Sequence, residues 1–142
     1  MVSGTYDVLK VDLYDGSVDL AAGGDTIKVA LLDGTASFTA GNSVLTDVIA
    51  TPGNAPEISG GGYTNGGETL LNQIVSLAAN TATFNGDDTE WTSATFTTNF
   101  ALIYDTGNTD SLMHLIDFSG PQSVTAGTFT IVWNVLGIST IA

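Results

Sequence analysis

Four oxygen donors fall within six residues at Asn85, Asp87, Asp88 and Glu90. Carboxylates and an amide carbonyl at that spacing suit a hard divalent cation, and calcium is the ion they would hold. The spacing lacks the later bidentate glutamate of a full calcium loop. Aspartates in turns also cap their own backbone, which is the simpler account. A smaller group at Asp15, Ser17 and Asp19 invites the same two readings. No cofactor is expected on this ground, with calcium at the first cluster as the alternative.

Other chemistry finds little to work with. The chain has no cysteine, which removes disulfides, thiol catalysis and cysteine-ligated zinc. One histidine, His114, rules out multi-histidine metal sites. In the strand-like run SLMHLIDF, His114 alternates with Met113 and Leu115, which should point the other way, and no Ser-His-Asp context surrounds it. Gly60-Gly61-Gly62 and Gly66-Gly67 have no lysine after them and open no helix, so they read as loop and not as a phosphate cradle. With fifteen carboxylates some pair must lie close, so proximity alone is not evidence of acid–base catalysis. A sugar reading survives on Trp91 and Tyr63, which could stack on carbohydrate. The expectation is a protein that is not an enzyme.

Charge narrows the partners. Fifteen Asp and Glu face only Lys10 and Lys28, for a net charge of −13. A nucleic-acid binder neutralises phosphates with Lys and Arg, and anionic lipid would repel this chain. Neither partner is expected. No apolar run approaches a spanning helix, and the first ten residues do not read as a signal peptide. Synthesis and retention in the cytoplasm, until the chain joins something larger, is the expectation.

The elements that must position these residues are mostly strands. With 43% hydrophobic and 12% charged residues, 142 residues form one core-bearing domain, 1–142. Gly-rich turns every ten or so residues, with β-branched runs between them, predict a mainly β fold. The architecture expected is an antiparallel β-sandwich, jelly-roll-like, with at most one or two short helices in the N-terminal half. Val2, Tyr6, Leu9 and Leu13 share one face of an opening helix that Asp15-Gly16 would end, although Leu9, Val11 and Leu13 also alternate as a strand. Residues 25–32 read as a buried strand. Residues 33–65 have poor periodicity and form a long loop, with a helical turn or two from Ser43 to Ala50. Strands follow over 68–77, 82–85, 94–105, 111–118 and 128–135. Turns are expected at 105–110, as a hairpin, and at 119–122. In the third of these strands Phe96, Thr98, Phe100 and Leu102 share a face. In the last, Phe129, Ile131, Trp133 and Val135 do.

An ordered set of segments then points to a family. DTIKVALL (25–32), GGGYTNGGETL (60–70), DDTEWTSATFT (87–97), ALIYD (101–105) and LIDFSGPQSVTAGTFTIVWNVLGI (115–138) together resemble a family of small structural proteins of tailed bacteriophage. The resemblance covers nearly the whole chain except residues 33–60. It is similar to capsid decoration, or cement, proteins. It implies a virion-surface subunit that binds the major capsid protein and itself, as trimer or dimer, and stabilises the assembled head. Alternatives are a tail or head-fibre component, or a carbohydrate-binding module on the virion. The family has no catalytic motif to carry over. Trp91, Trp133 and Phe129 would anchor the core, and Gly66 and Gly67 suit a turn needing positive φ. The Gly-rich, acidic stretch 16–24 departs from the family pattern. For a clamping role, the loop from Asp33 to Gly62 and the N-terminal segment are the expected contacts. Phe38, Val44, Leu45, Val48 and Ile49 would anchor on a neighbour, against ordinary packing beneath a loop.

Overall fold

The computed structural model describes residues 3–142. Its strands are β1 (Gly4–Thr5), β2 (Ile27–Leu32), β3 (Glu68–Thr69), β4 (Ile74–Ala78), β5 (Thr81–Asn85), β6 (Thr89–Asp105), β7 (Ser111–Ile131) and β8 (Ser139–Ile141). A helix, α1 (Asp7–Asp15), precedes β2, and a 3-10 turn spans Leu45–Asp47. The larger sheet runs β1-β7-β6-β2-β3 and the smaller β4-β5-β8. All pairings are antiparallel. The fold is mainly β, with two sheets and one helix near the N-terminus.

Helix α1 ends where Asp15-Gly16 predicts. Gly16 adopts φ 77° and its N–H donates to the Asp12 carbonyl. Tyr6 and Leu9 are buried, Leu13 is exposed, and Val2 lies outside the described residues.

β2 is buried on both faces, which explains its nearly unbroken apolar run. Ile27, Val29 and Leu31 enter a first core with Phe84 of the smaller sheet, Leu9 of α1, Trp91, Met113 and Trp133. Ala30 and Leu32 enter a second core with Phe100, Leu102, Tyr104 and Leu112. That second core is roofed by the long loop: Ala36, Leu45 and Ile49 are buried in it, and Phe38 and Val48 pack against it. Irregular apolar spacing made this segment look like a surface excursion, whereas it is a covering layer of the sheet.

The expected core anchors stand in the first core. Trp91 and Trp133 are buried, and Phe129 packs against them half-exposed, its ring 5.9 Å from that of Trp91.

Three expectations about strands need correction. Segments 94–105, 111–118 and 128–135 belong to one hairpin, β6–β7, whose pairing runs from Asp105 opposite Ser111 to Thr89 opposite Ile131. Residues 119–122 do not separate strands; the chain bulges within β7 over 118–121, between Asp117 opposite Phe100 and Gln122 opposite Thr98. That bulge resets the alternation, so Phe96 packs in the first core while Phe100 and Leu102 pack in the second. Another irregularity beside Ile103 and Tyr104 places Met113 in the first core and Leu115 in the second. Strand 68–77 is broken at residues 70–73, where Gln73 turns inward and donates to the carbonyls of Ala21 (3.0 Å) and Asp25 (2.9 Å). Finally, β7 ends at Ile131, and Val135 is exposed in a turn closed by Gly137 N–H on the Asn134 carbonyl.

Candidate functional site

The residues singled out for metal binding do not converge. Asp87 accepts from the Asn72 amide (2.6 Å), Asp88 from the Trp133 backbone N–H (3.0 Å), and Glu90 from Thr130 (3.3 Å). The Asn85 amide donates to the Asn134 carbonyl. Each carboxylate serves a different neighbour, and two of them tie the start of β6 to the end of β7 and the residues just after it. Asp15 accepts from the Ser17 N–H and Asp19 from the Ala21 N–H, two residues on in each case. Among the described residues, no group of three or more His, Cys, Asp or Glu gathers as a metal site.

Four of the five loop residues expected to anchor a partner, all but Val44, face the chain's own second core. Leu45 and Ile49 are buried, Phe38 and Val48 pack against them, and Val44 bridges to Ser111. Trp91 and Tyr63, the two aromatics suited to stacking on sugar, lie against each other with ring centroids 6.4 Å apart in the first core.

Several buried ionisable groups have structural partners, although the Tyr6 hydroxyl has none among the described residues. Glu57 accepts from the backbone N–H of Gly53 and Gly66 and from the Tyr63 hydroxyl. Tyr63 also accepts from the Leu31 N–H, and Tyr104 donates to the Gly66 carbonyl. This network pins the far end of the long loop to β2 and β6. Burial drives the Tyr63 and Tyr104 hydroxyls well above the usual phenol range. Gly66 and Gly67 adopt φ 86° and 75°, and a Cβ on Gly67 would collide with the Val29 carbonyl. Asp105 is fully buried at the end of β6; desolvation pushes it up to about 6, and the nearby Asp25 carboxylate adds to the rise. His114 lies on β7 with Nδ1 3.1 Å from Thr5 Oγ1, and its Nε2 has no partner. Burial lowers it to about 4, so it is neutral near neutral pH.

One part of the surface is apolar and uncharged. Residues 69–86 and 118–142 contain no Asp, Glu, Lys or Arg, in a chain with seventeen such residues elsewhere. These stretches supply all of the smaller sheet and the connection between β7 and β8. Here Ile74 (54%), Leu77 (75%) and Ile141 (56%) are exposed, as are Val132, Val135 and Leu136. Between α1 and the inner face of this sheet lies an open cavity of about 330 Å³. Leu9, Leu13, Val75, Phe84 and Ile141 line it, with His114 at its wall. An apolar, charge-free sheet on a molecule of charge −13 is suited to contact with protein, since water gains little there and no carboxylate must be desolvated.

Sequence reasoning placed a strand over Ile74 to Leu77 but missed its exposure. The usable signal was the absence of charge over 69–86, which singles this segment out in so acidic a chain.

No protein-family model, no curated protein and no solved structure matches this chain.

Proposed function

We propose that this chain is a structural subunit of a tailed-bacteriophage virion, a capsid decoration protein that binds the major capsid protein and stabilises the assembled head. The observation that carries a binding role is the uncharged apolar surface formed by the smaller sheet and the β7–β8 connection. The virion address rests on the ordered sequence segments, from DTIKVALL to the GTFTIVW strand. Val132, Val135 and Leu136 are the side chains we assign to the capsid contact. The acidic remainder limits non-specific association of unbound copies in the host cytoplasm and faces solvent on the particle. A ligand that binds only the assembled shell stabilises it by mass action.

The test is to compare particles with and without this protein on heating. A lowered melting temperature of the depleted shell is the expected result; unchanged melting refutes clamping. Protein stoichiometry in purified particles separates the alternatives. Hundreds of copies fit decoration of a repeating lattice, whereas a handful would assign the chain to a tail or head fibre.

A further inference from the structure

We propose that β4 is a homodimerisation edge, on which a second copy of this chain pairs its own β4 antiparallel across a two-fold axis. The inference stands whether or not the particle is a phage capsid.

Four observations converge on this edge. First, β4 is bonded on one side alone: β5 is its only strand partner, and no backbone hydrogen bond joins residues 74–78 to any other described residue. Its five residues are all exposed. Second, the other open edges are short or, along the open ends of β6 and β7, are blunted by Glu90, Asp117, Pro121 and bulges. β1 and β3 have two residues each and β8 has three. Short edges are a standard protection against strand addition, and β4 lacks that protection. It also lacks the charges, proline and bulges that blunt edges elsewhere.

Third, the sequence of β4 is self-complementary about its middle residue. In an antiparallel pair centred on Ser76, Val75 lies opposite the second copy's Leu77 and Ile74 opposite its Ala78. Ser76 meets its own counterpart on the axis. Every pair is apolar with apolar except the small serine pair, and a two-fold contact requires this self-matching. Val75 and Leu77 lie on the same face as Phe84, Ala82 and Ile141, since those residues are their register partners along the sheet. Pairing would therefore cover the overhanging Leu77 with Val75 of the other copy and extend the cavity-facing surface across both.

Fourth, charge selects a second copy as the occupant. Two molecules of charge −13 repel, and most contacts between them would oppose carboxylates. Residues 69–86 form a window without charge, so β4 and its flanking turns can meet their copies with no carboxylate opposite. A partner strand carrying basic residues would find nothing here to pair with.

The experiment uses the whole chain and sedimentation velocity across the micromolar range. The wild-type protein should sediment as a dimer, more completely as salt screens the net charge. Ser76→Asp and Ser76→Lys each place like charges face to face on the axis and should weaken the dimer about tenfold or more. An equimolar mixture of the two variants should restore it, because Asp then faces Lys. A monomeric wild type, a dimer indifferent to both substitutions, or a mixture that stays monomeric would each overturn the proposal. Ser76→Cys supplies a second readout in a chain without cysteine. Mild oxidation should yield a covalent dimer from Ser76→Cys and none from Thr140→Cys on the opposite edge of the same sheet. The reverse pattern counts against β4.

Discussion

Replacing Glu57 with alanine should loosen the molecule more than any other single carboxylate change, and the size of the effect can be worked from its partners. Its carboxylate accepts from the Gly53 and Gly66 N–H groups and the Tyr63 hydroxyl, the last two at 2.6 Å. Gly53 is half-exposed, so water replaces the lost acceptor there at small cost. Gly66 is buried, and Tyr63 is held by the Leu31 N–H and packed against Trp91. Leaving a buried donor unsatisfied costs about 1–3 kcal/mol, so the two together predict a loss of about 3 kcal/mol after local relaxation. For a chain of this size that corresponds to a fall in Tm of roughly 10 °C. Urea unfolding followed by tryptophan fluorescence measures it directly, since Trp91 sits beside Tyr63. Glu57→Gln, which keeps one acceptor oxygen but points an amide donor at the other N–H, should fall between. Tyr63→Phe combined with Glu57→Ala should destabilise by less than the sum of the two singles, because both remove the same bond. A loss below about 1 kcal/mol for Glu57→Ala would refute the idea that this carboxylate holds the loop to the sheet.

Three further outcomes follow from other sites. Asp105, raised to about 6 when folded, loses its proton first in the unfolded chain, so its contribution to stability falls as pH rises from about 4 to 6. His114, lowered to about 4 from 6.5, has the opposite slope: its contribution is complete above 6.5 and is lost as pH falls to about 4. The two nearly cancel in the wild type. Asp105→Asn should therefore expose a loss of stability on acidification, and His114→Gln a gain, each up to about 3 kcal/mol by chemical denaturation. Parallel pH profiles for both variants would contradict the assignment. Gly67→Ala, with positive φ and a Cβ driven into the Val29 carbonyl, should cost about 3 kcal/mol or more, read as a lowered urea midpoint. Added calcium should leave Tm unchanged, because Asp87, Asp88 and Glu90 face separate partners; a saturable rise would restore the metal reading.

Sequence alone revealed those parts of the fold whose burial is uniform. β2 was legible because both its faces are covered, and α1 because Gly16 supplies a left-handed cap. The hairpin strands were legible as strands but not as one continuous pair. Period-two alternation carries no mark of a bulge, so residues 119–122 looked like a turn and Phe96 seemed to share a face with Phe100. The break before β4 escaped notice because it depends on where the Gln73 amide finds two carbonyls distant in sequence. The site suffered most. Side chains such as Leu45 and Ile49 are apolar whether they meet a partner or their own core, and composition cannot tell the two apart. Charge patterning could have, by directing attention to 69–86.

The long β6–β7 hairpin also has a consequence for how the chain reaches this structure. Its tip, where Asp105 pairs with Ser111, joins residues close in sequence, so closing that loop carries a low entropic cost. Pairing can then zip outward toward Thr89 and Ile131, interrupted at each bulge, while β2 and α1 arrive later from far up the chain. We expect residues near the tip, Tyr104 and Leu112, to hold native contacts at the barrier. Conservative truncation there should slow refolding, whereas truncating Leu9 of α1 should mainly hasten unfolding. Stopped-flow kinetics that put both effects in the unfolding rate would remove the hairpin from its place as nucleus.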